Sequence, residues 1–369
     1  MDFSSDNVFG VHQSILEGIE EANSGTAPSY GYDRWTTEAQ AALNDVFETE
    51  VESFLVATGT AANSLGLSAL CAPHQKVLCH AEAHIQTDEC GAPEFFTGGA
   101  KLDGLSGPGG KLTPDAIRAA IESVVRGEHE QIPGVVSITQ ATELGTIYSA
   151  AETAAIGELC REHRLNLHMD GSRFANAVAS ANASPASLTW KAGVGAMSFG
   201  ATKNGALALE AVLFFDARLA RDFVYRRKRG GQLLSKGRFL GAQMLAYLKD
   251  DLWLRNARHA NDLAARLAAE LKAVPGFRVP VPTQANEVFA VMPKRVHGQL
   301  TERGVGCHDW LSQSLGDDGP GKDECLVRFV TSFRTTAEEV EQLSALCKEL
   351  TAKQKRAPRA PSPTVSSTG

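Results

Sequence analysis

Asp170 and Lys203 are side chains of this sequence whose types and settings could do covalent chemistry. Asp170 closes a strand-like apolar run in His168-Met169-Asp170-Gly171-Ser172-Arg173, so it would sit as a carboxylate at the tip of a buried strand. Lys203 follows a second apolar run in Met197-Ser198-Phe199-Gly200-Ala201-Thr202-Lys203-Asn204, among small residues that leave room around its amine. A lysine amine can hold an aldehyde cofactor covalently, and a carboxylate facing a ring nitrogen keeps that ring protonated and electron-accepting. Pyridoxal 5′-phosphate chemistry needs both groups. Each also has a plainer reading, a solvated surface charge for the lysine and a helix N-cap for the aspartate. Lys191 is the competing lysine, but the strand-end setting of Lys203 points it toward Asp170. A third anchor is Thr58-Gly59-Thr60-Ala61-Ala62-Asn63, a small-residue turn between a strand and a helix. Backbone N–H groups of Gly59, Thr60 and Ala61 there would meet a phosphate, a weak signal alone that gains weight beside the other two.

These residues need a scaffold, and the pattern supplies one. Strands are expected at 53–57, 76–80, 134–139, 165–169, 196–199 and 211–215, alternating with helices at 61–71, 114–126 and 150–163. Such alternation predicts a largely parallel sheet covered by helices on both faces. Its active site would lie at the carboxyl ends of the strands, where Thr58, Gln140, Asp170 and Lys203 all fall. Upstream, a helix is expected at 12–23 and another to about 47, opened by a Thr37/Gln40 capping box. Downstream, 217–249 reads as helix broken at Gly230-Gly231, and 252–274 as one long helix. Strands at 278–281, 287–292 and 325–331 with helices at 295–303 and 336–350 complete a smaller unit. The expected division is 1–249 for an N-terminal arm and large domain, 250–352 for a small C-terminal domain, and 353–369 for a disordered tail.

Composition narrows the class. The chain has 369 residues, enough for a large core, with 43% hydrophobic and 21% charged residues, as in an ordinary globular protein. A net charge of −7 disfavours nucleic-acid or anionic membrane partners. No apolar run approaches the roughly 20 residues that span a bilayer, and the first residues lack the features of a secretory signal. Seven cysteines form no CxxC pair, which reads as reduced thiols in a cytoplasmic protein without a metal site. A nicotinamide-dependent dehydrogenase would need a GxGxxG turn after the first strand, and none follows it.

The segments 58–63, Ala83-His84, the run at 87–96, 168–173 and Phe199-Gly200-Ala201-Thr202-Lys203-Asn204-Gly205 together resemble the low-specificity L-threonine aldolases, including the L-phenylserine aldolases, over about 3–350. The resemblance implies the aspartate-aminotransferase-like fold, PLP fold type I, with a large mostly parallel seven-stranded sheet domain plus a smaller α+β domain. It implies retro-aldol cleavage of L-β-hydroxy-α-amino acids to glycine and an aldehyde, with β-elimination or transamination on the same fold as the alternative. Lys203 then resembles the Schiff-base lysine, Asp170 the pyridinium partner, and His84 the histidine that stacks on the ring and reaches the substrate hydroxyl. Arg173 resembles the arginine beside the cofactor and Arg328 the one that grips the substrate carboxylate, helped by Ser5, with Arg334 a competitor for Arg328. Arg229 and Lys236 resemble phosphate ligands reaching across a subunit boundary in a homodimer or homotetramer. Glu143 stands where several relatives carry a second histidine, so the hydroxyl proton could go to Glu143, His84 or a water.

Overall fold

The computed structural model describes residues 1–311 and 313–352, and the tail expected at 353–369 lies outside the described residues. Ten strands follow in chain order: β1 (Glu52–Val56), β2 (Gln75–His80), β3 (Lys101–Leu105), β4 (Ile132–Thr139), β5 (Asn166–Gly171), β6 (Ala196–Gly200), β7 (Glu210–Phe214), β8 (Glu287–Pro293), β9 (His308–Trp310) and β10 (Glu324–Val330). Seven form one sheet in the order β1-β7-β6-β5-β4-β2-β3, and three form another in the order β8-β10-β9. Within the large sheet only β7 runs against its neighbours β1 and β6; the other pairings are parallel. The carboxyl ends of the remaining strands therefore gather along one edge.

Alternation along each strand divides the core into two layers. Val136, Ile138, Met169, Ala211 and Leu213 face one cluster, with Ile156 and Leu159 of the helix Ala150–Glu162. Val77, Val135, Val212 and Phe214 face the other, with Leu65 and Leu70 of the helix Gly59–Leu70. Because both faces are covered, β4 to β7 read as near-continuous apolar runs, which is why they were legible.

The smaller sheet packs Val288, Ala290, Met292, Val327 and Phe329 against Leu263, Leu267 and Leu271 of the helix Leu252–Lys272. The start of that helix, Leu252, Trp253 and Ala257, belongs instead to the first core of the large sheet, so one helix joins both. The N-terminal arm is tied here too. Phe3 donates its N–H to Gly306 O at 2.8 Å, and Val330 N–H donates to Phe3 O at 2.8 Å. Phe3 is fully buried in the small-sheet core, which fixes the residues after it against the edge where the strands end.

Four local expectations are corrected. The second helix spans Arg34–Phe47 and is capped by Asp33, whose Oδ1 accepts Thr36 N–H at 2.9 Å, rather than by Thr37. The stretch expected as helix over 217–249 with a break at Gly230-Gly231 does part there, but its two helices are shorter than expected, Phe223–Arg229 and Arg238–Leu248. The strand expected at 278–281 is only a single bridge between Arg278 and Val291. Two strands, β3 and β9, were not expected at all.

Candidate active site

Asp170 lies near the end of β5, opposite Thr139 of β4 and Ser198 of β6. It is 3% exposed. Its Oδ1 accepts the Ser172 N–H at 3.0 Å and its Oδ2 accepts from Asn63 Nδ2 at 2.9 Å. Burial alone would raise its pKa, but the charges of His84 and Lys203 and the Ser172 and Asn63 hydrogen bonds outweigh it and hold the carboxyl below its ordinary value. Asp170 is therefore a buried carboxylate at neutral pH.

Lys203 is carried by the single turn Thr202–Asn204 between β6 and β7, which closes at Gly205 with φ of 115°. Asp170, Lys203, His84, Gly59 and Thr60 line one cavity of about 370 Å³. Asn7, Asn63, Glu89 and Glu210 line it as well, residues that sequence reasoning left without a role. A larger groove of about 750 Å³ between the helices Gln13–Ala22, Arg34–Phe47 and Arg238–Leu248 shares no lining residue with this cavity. The helix Gly59–Leu70 points its first turn into the cavity. Thr58 caps it by accepting Ala61 N–H at 3.2 Å, so Ala61 is already engaged, and the N–H groups of Gly59 and Thr60 are left for an anion. A Cβ at Gly59 would meet nothing within 4 Å, so there is room above the turn.

His84 opens the short helix His84–Thr87. Its Nδ1 lies 2.9 Å from Glu89 Oε1, and its N–H donates to Glu143 Oε1 at 2.7 Å. Asn63 Nδ2 donates both to Asp170 and to Glu89, the latter at 2.8 Å, linking the acid at the sheet end to the histidine dyad. The hydrogen bond to Glu89 is the main reason the His84 pKa is raised. Burial in turn raises that of Glu89. Glu143 is pushed up to about 7 by burial, and its Oε2 has no hydrogen-bond partner. Its carboxyl is turned onto the His84 backbone rather than into the cavity.

This gives a signed expectation. If neutral His84 accepts a proton, the rate climbs as pH rises through its elevated pKa. Glu89→Gln removes the largest raising influence, so the rising limb of kcat against pH moves to lower pH. The maximum rate should fall roughly 10-fold, short of the ~10²–10⁴-fold lost with the base itself. An unmoved limb would remove the dyad from the chemistry.

The two arginines meet around one carboxylate. Arg173 NH1 lies 3.4 Å from Glu287 Oε2, and Arg328 NH1 lies 3.6 Å from Glu287 Oε1. Arg173 also pairs with Asp6 through Nε at 2.9 Å, and Arg328 stacks over Trp310 with 4.2 Å to the ring centroid. Arg328 NH2 further donates to Ser4 O at 3.3 Å, next to Ser5. Ser5 itself caps the turn Asp6–Val8 by accepting Asn7 N–H at 3.1 Å. The competitors are accounted for: Arg334 donates to Val11 O at 3.0 Å, and Lys191 pairs with Glu48 at 2.6 Å in solvent. Arg229 and Lys236 are exposed and do not line the cavity of their own chain. All seven cysteines are free. Among the described residues one group offers three metal-ligand types, His297, Asp309 and Cys325, with exposed Asp309 Oδ1 3.2 Å from His297 Nδ1.

Pyridoxal 5′-phosphate fits this donor set. An ionised, desolvated carboxylate would hold a ring N–H, a lysine on the same wall would hold the aldehyde carbon, and two unpaired N–H groups beside open space would hold the phosphate.

Residues 2–294 match the family model described as beta-eliminating lyase. The chain is 46% identical to the low specificity L-threonine aldolase of Pseudomonas aeruginosa, covering 93% of this chain and 95% of that one. It is 44% identical to the same-named protein of another Pseudomonas, covering 93% and 96%. Among solved structures it is similar to the Leishmania major threonine aldolase, with a TM-score of 0.87, 29% identity and coverage of 95% and 99%. An alanine–glyoxylate aminotransferase from Nostoc, at TM-score 0.66, 16% identity and 94% coverage of each chain, shares the fold.

Proposed function

The chain belongs to the beta-eliminating lyase family, and from that premise we propose that its cavity cleaves L-β-hydroxy-α-amino acids of the L-threonine, L-allo-threonine and L-phenylserine type to glycine and an aldehyde. The observation that carries this reading is the meeting of ionised Asp170, Lys203 and the His84–Glu89 dyad around one cavity. The low specificity L-threonine aldolases similar to it support the substrate class.

When bound, pyridoxal 5′-phosphate supplies a sink for the electron pair left at Cα as the Cα–Cβ bond breaks. Lys203 would hold the cofactor covalently between turnovers. Asp170 keeps a proton on the ring nitrogen, which requires a carboxylate that stays ionised, and its lowered pKa provides that. Arg328 and Arg173 grip the substrate carboxylate, a planar bidentate recognition suited to guanidinium groups, with Ser5 beside them. Fixing the carboxylate turns the Cα–Cβ bond toward the direction in which its electrons can leave. Glu287 holds the two guanidinium groups at a common point until substrate arrives. His84, its Nδ1 held by Glu89, takes the β-hydroxyl proton through its other nitrogen. Glu143 steadies His84 through its backbone N–H. In a homodimer or homotetramer with shared sites, Arg229 and Lys236 would be the residues to reach the cofactor phosphate of a second subunit.

The test is a product balance on L-threonine, L-allo-threonine and L-phenylserine with the cofactor-loaded protein. Glycine and aldehyde in equal amounts are expected. The family description favours one rival, β-elimination; pyruvate and ammonia from L-serine without glycine formation from the hydroxy amino acids would replace the aldolase reading with it.

A further inference from the structure

Glu210 is the acid in this cavity that the reading above leaves unused. It is the first residue of β7, paired in register with Gly200 at the end of β6 and with Val56 at the end of β1. That places it between two strand ends, directly beneath the turn that carries Lys203. Its Oε2 accepts Ala201 N–H at 3.2 Å, two residues before Lys203. It is 6% exposed and lines the same cavity as Lys203. A carboxyl at this depth has no structural need to be charged, since a glutamine would accept the same N–H.

We propose that Glu210 is a positioning residue whose carboxylate, buried beside the turn that carries Lys203 and lining the same cavity, favours the protonated form of the nitrogen that Lys203 presents there through its charge. Burial pushes Glu210 up to about 7, against a hydrogen bond from Thr202 and the charge of Lys203, so the acid can both release and accept a proton near neutrality.

The surroundings restrict what else could set this proton. From the turn comes Lys203 itself, and from the N-terminal arm Asp6, whose carboxyl feels Lys203 but is held by Arg173. Across the cavity Asp170 is reserved for the ring nitrogen, and His84 for Glu89. From the helix Arg238–Leu248 comes Tyr247, whose hydroxyl receives Asn204 Nδ2–H at 2.8 Å and donates to Gly200 O at 3.3 Å. Burial, with the nearby Glu210 charge, raises the Tyr247 pKa far above neutrality. That leaves Glu210.

The inference rests on the cofactor reading of the cavity but not on the aldolase reaction, so it is tested without substrate. The visible absorbance of the lysine-bound cofactor is titrated with pH in the wild-type holoenzyme and in Glu210→Gln, which keeps shape and hydrogen-bond acceptor and removes charge. The midpoint is expected to move to lower pH by about one unit, as when a neighbouring opposite charge is lost. The shift should persist in high salt, because the carboxyl is buried. Glu210→Asp, which keeps the charge but withdraws it by one methylene, should lie between the two. If Glu210→Gln does not fold, Glu210→Asp carries the test alone. An unchanged midpoint in a cofactor-loaded variant overturns the proposal, while a failed product balance with a shifted midpoint would sink only the aldolase reading.

Discussion

Lys203→Ala is expected to lose at least about 10³-fold in turnover, together with the visible absorbance of the lysine-bound cofactor. The reasoning is local. The turn Thr202–Asn204 offers one amine to the cavity, and among the described residues no second lysine lines it. The structural cost should be small, because Lys203 is only partly buried and the turn is held by backbone hydrogen bonds from Asn204 and Ala206 to Ala201 O. Lys191→Ala serves as the control: its amine pairs with Glu48 on the surface, so activity and absorbance should both survive. Wild-type turnover in Lys203→Ala would remove the lysine from the mechanism.

Asp170→Asn should lower kcat by roughly 10²–10⁴-fold while leaving the fold intact. The substitution is isosteric but removes the charge that holds a ring nitrogen protonated. It also turns an acceptor pair into an amide, so Asn63 Nδ2 loses one of its two carboxylate partners. The coupling extends to the base. The Asp170 charge is one of the influences raising His84, so the rising limb of the pH profile should shift toward lower pH in the variant as well. Asp170→Glu separates charge from position: it should recover part of the cofactor affinity but little of the rate, because the longer side chain cannot keep both the Ser172 and Asn63 hydrogen bonds. Near-normal kcat in Asp170→Asn would mean that the ring nitrogen is held by another group.

What the sequence made legible follows from how the information is stored. Asp170 and Lys203 each lie in a short contiguous motif at the end of an apolar run, and strand ends are where α/β sheets place ligands. β4 to β7 announce themselves through continuous burial. β3 did not, because Lys-Leu-Asp-Gly-Leu mixes charge and glycine at a sheet edge where only Leu102 is buried. β9 is three residues long and draws its identity from β10.

Residues that act through long-range contacts were harder. Glu287 has no motif, yet it joins Arg173 to Arg328, which are distant in the chain. Asp6 sits beside Ser5, but nothing in the sequence tells which arginine it meets. Glu89 and Asn63 lie inside segments that carried the family likeness, so their positions were marked while their hydrogen bonds to His84 and Asp170 were not. Glu210 fell one residue before the strand expected at 211–215, and its value is visible only once β1 and β6 flank it. Arg229 and Lys236 are exposed and lie outside the cavity of their own chain, so the role the resemblance implied for them is not legible in one chain.

The most direct measurement fixes the cofactor to the amine that holds it. The loaded protein is reduced with borohydride, digested, and the modified peptide is located by mass spectrometry. The pyridoxyl group is predicted on Lys203 at about one per chain, the stoichiometry of a single covalent site. Modification of another lysine with Lys203 unmodified, or no covalent adduct in a protein that nevertheless cleaves its substrates, would contradict the assignment of this cavity as the active site.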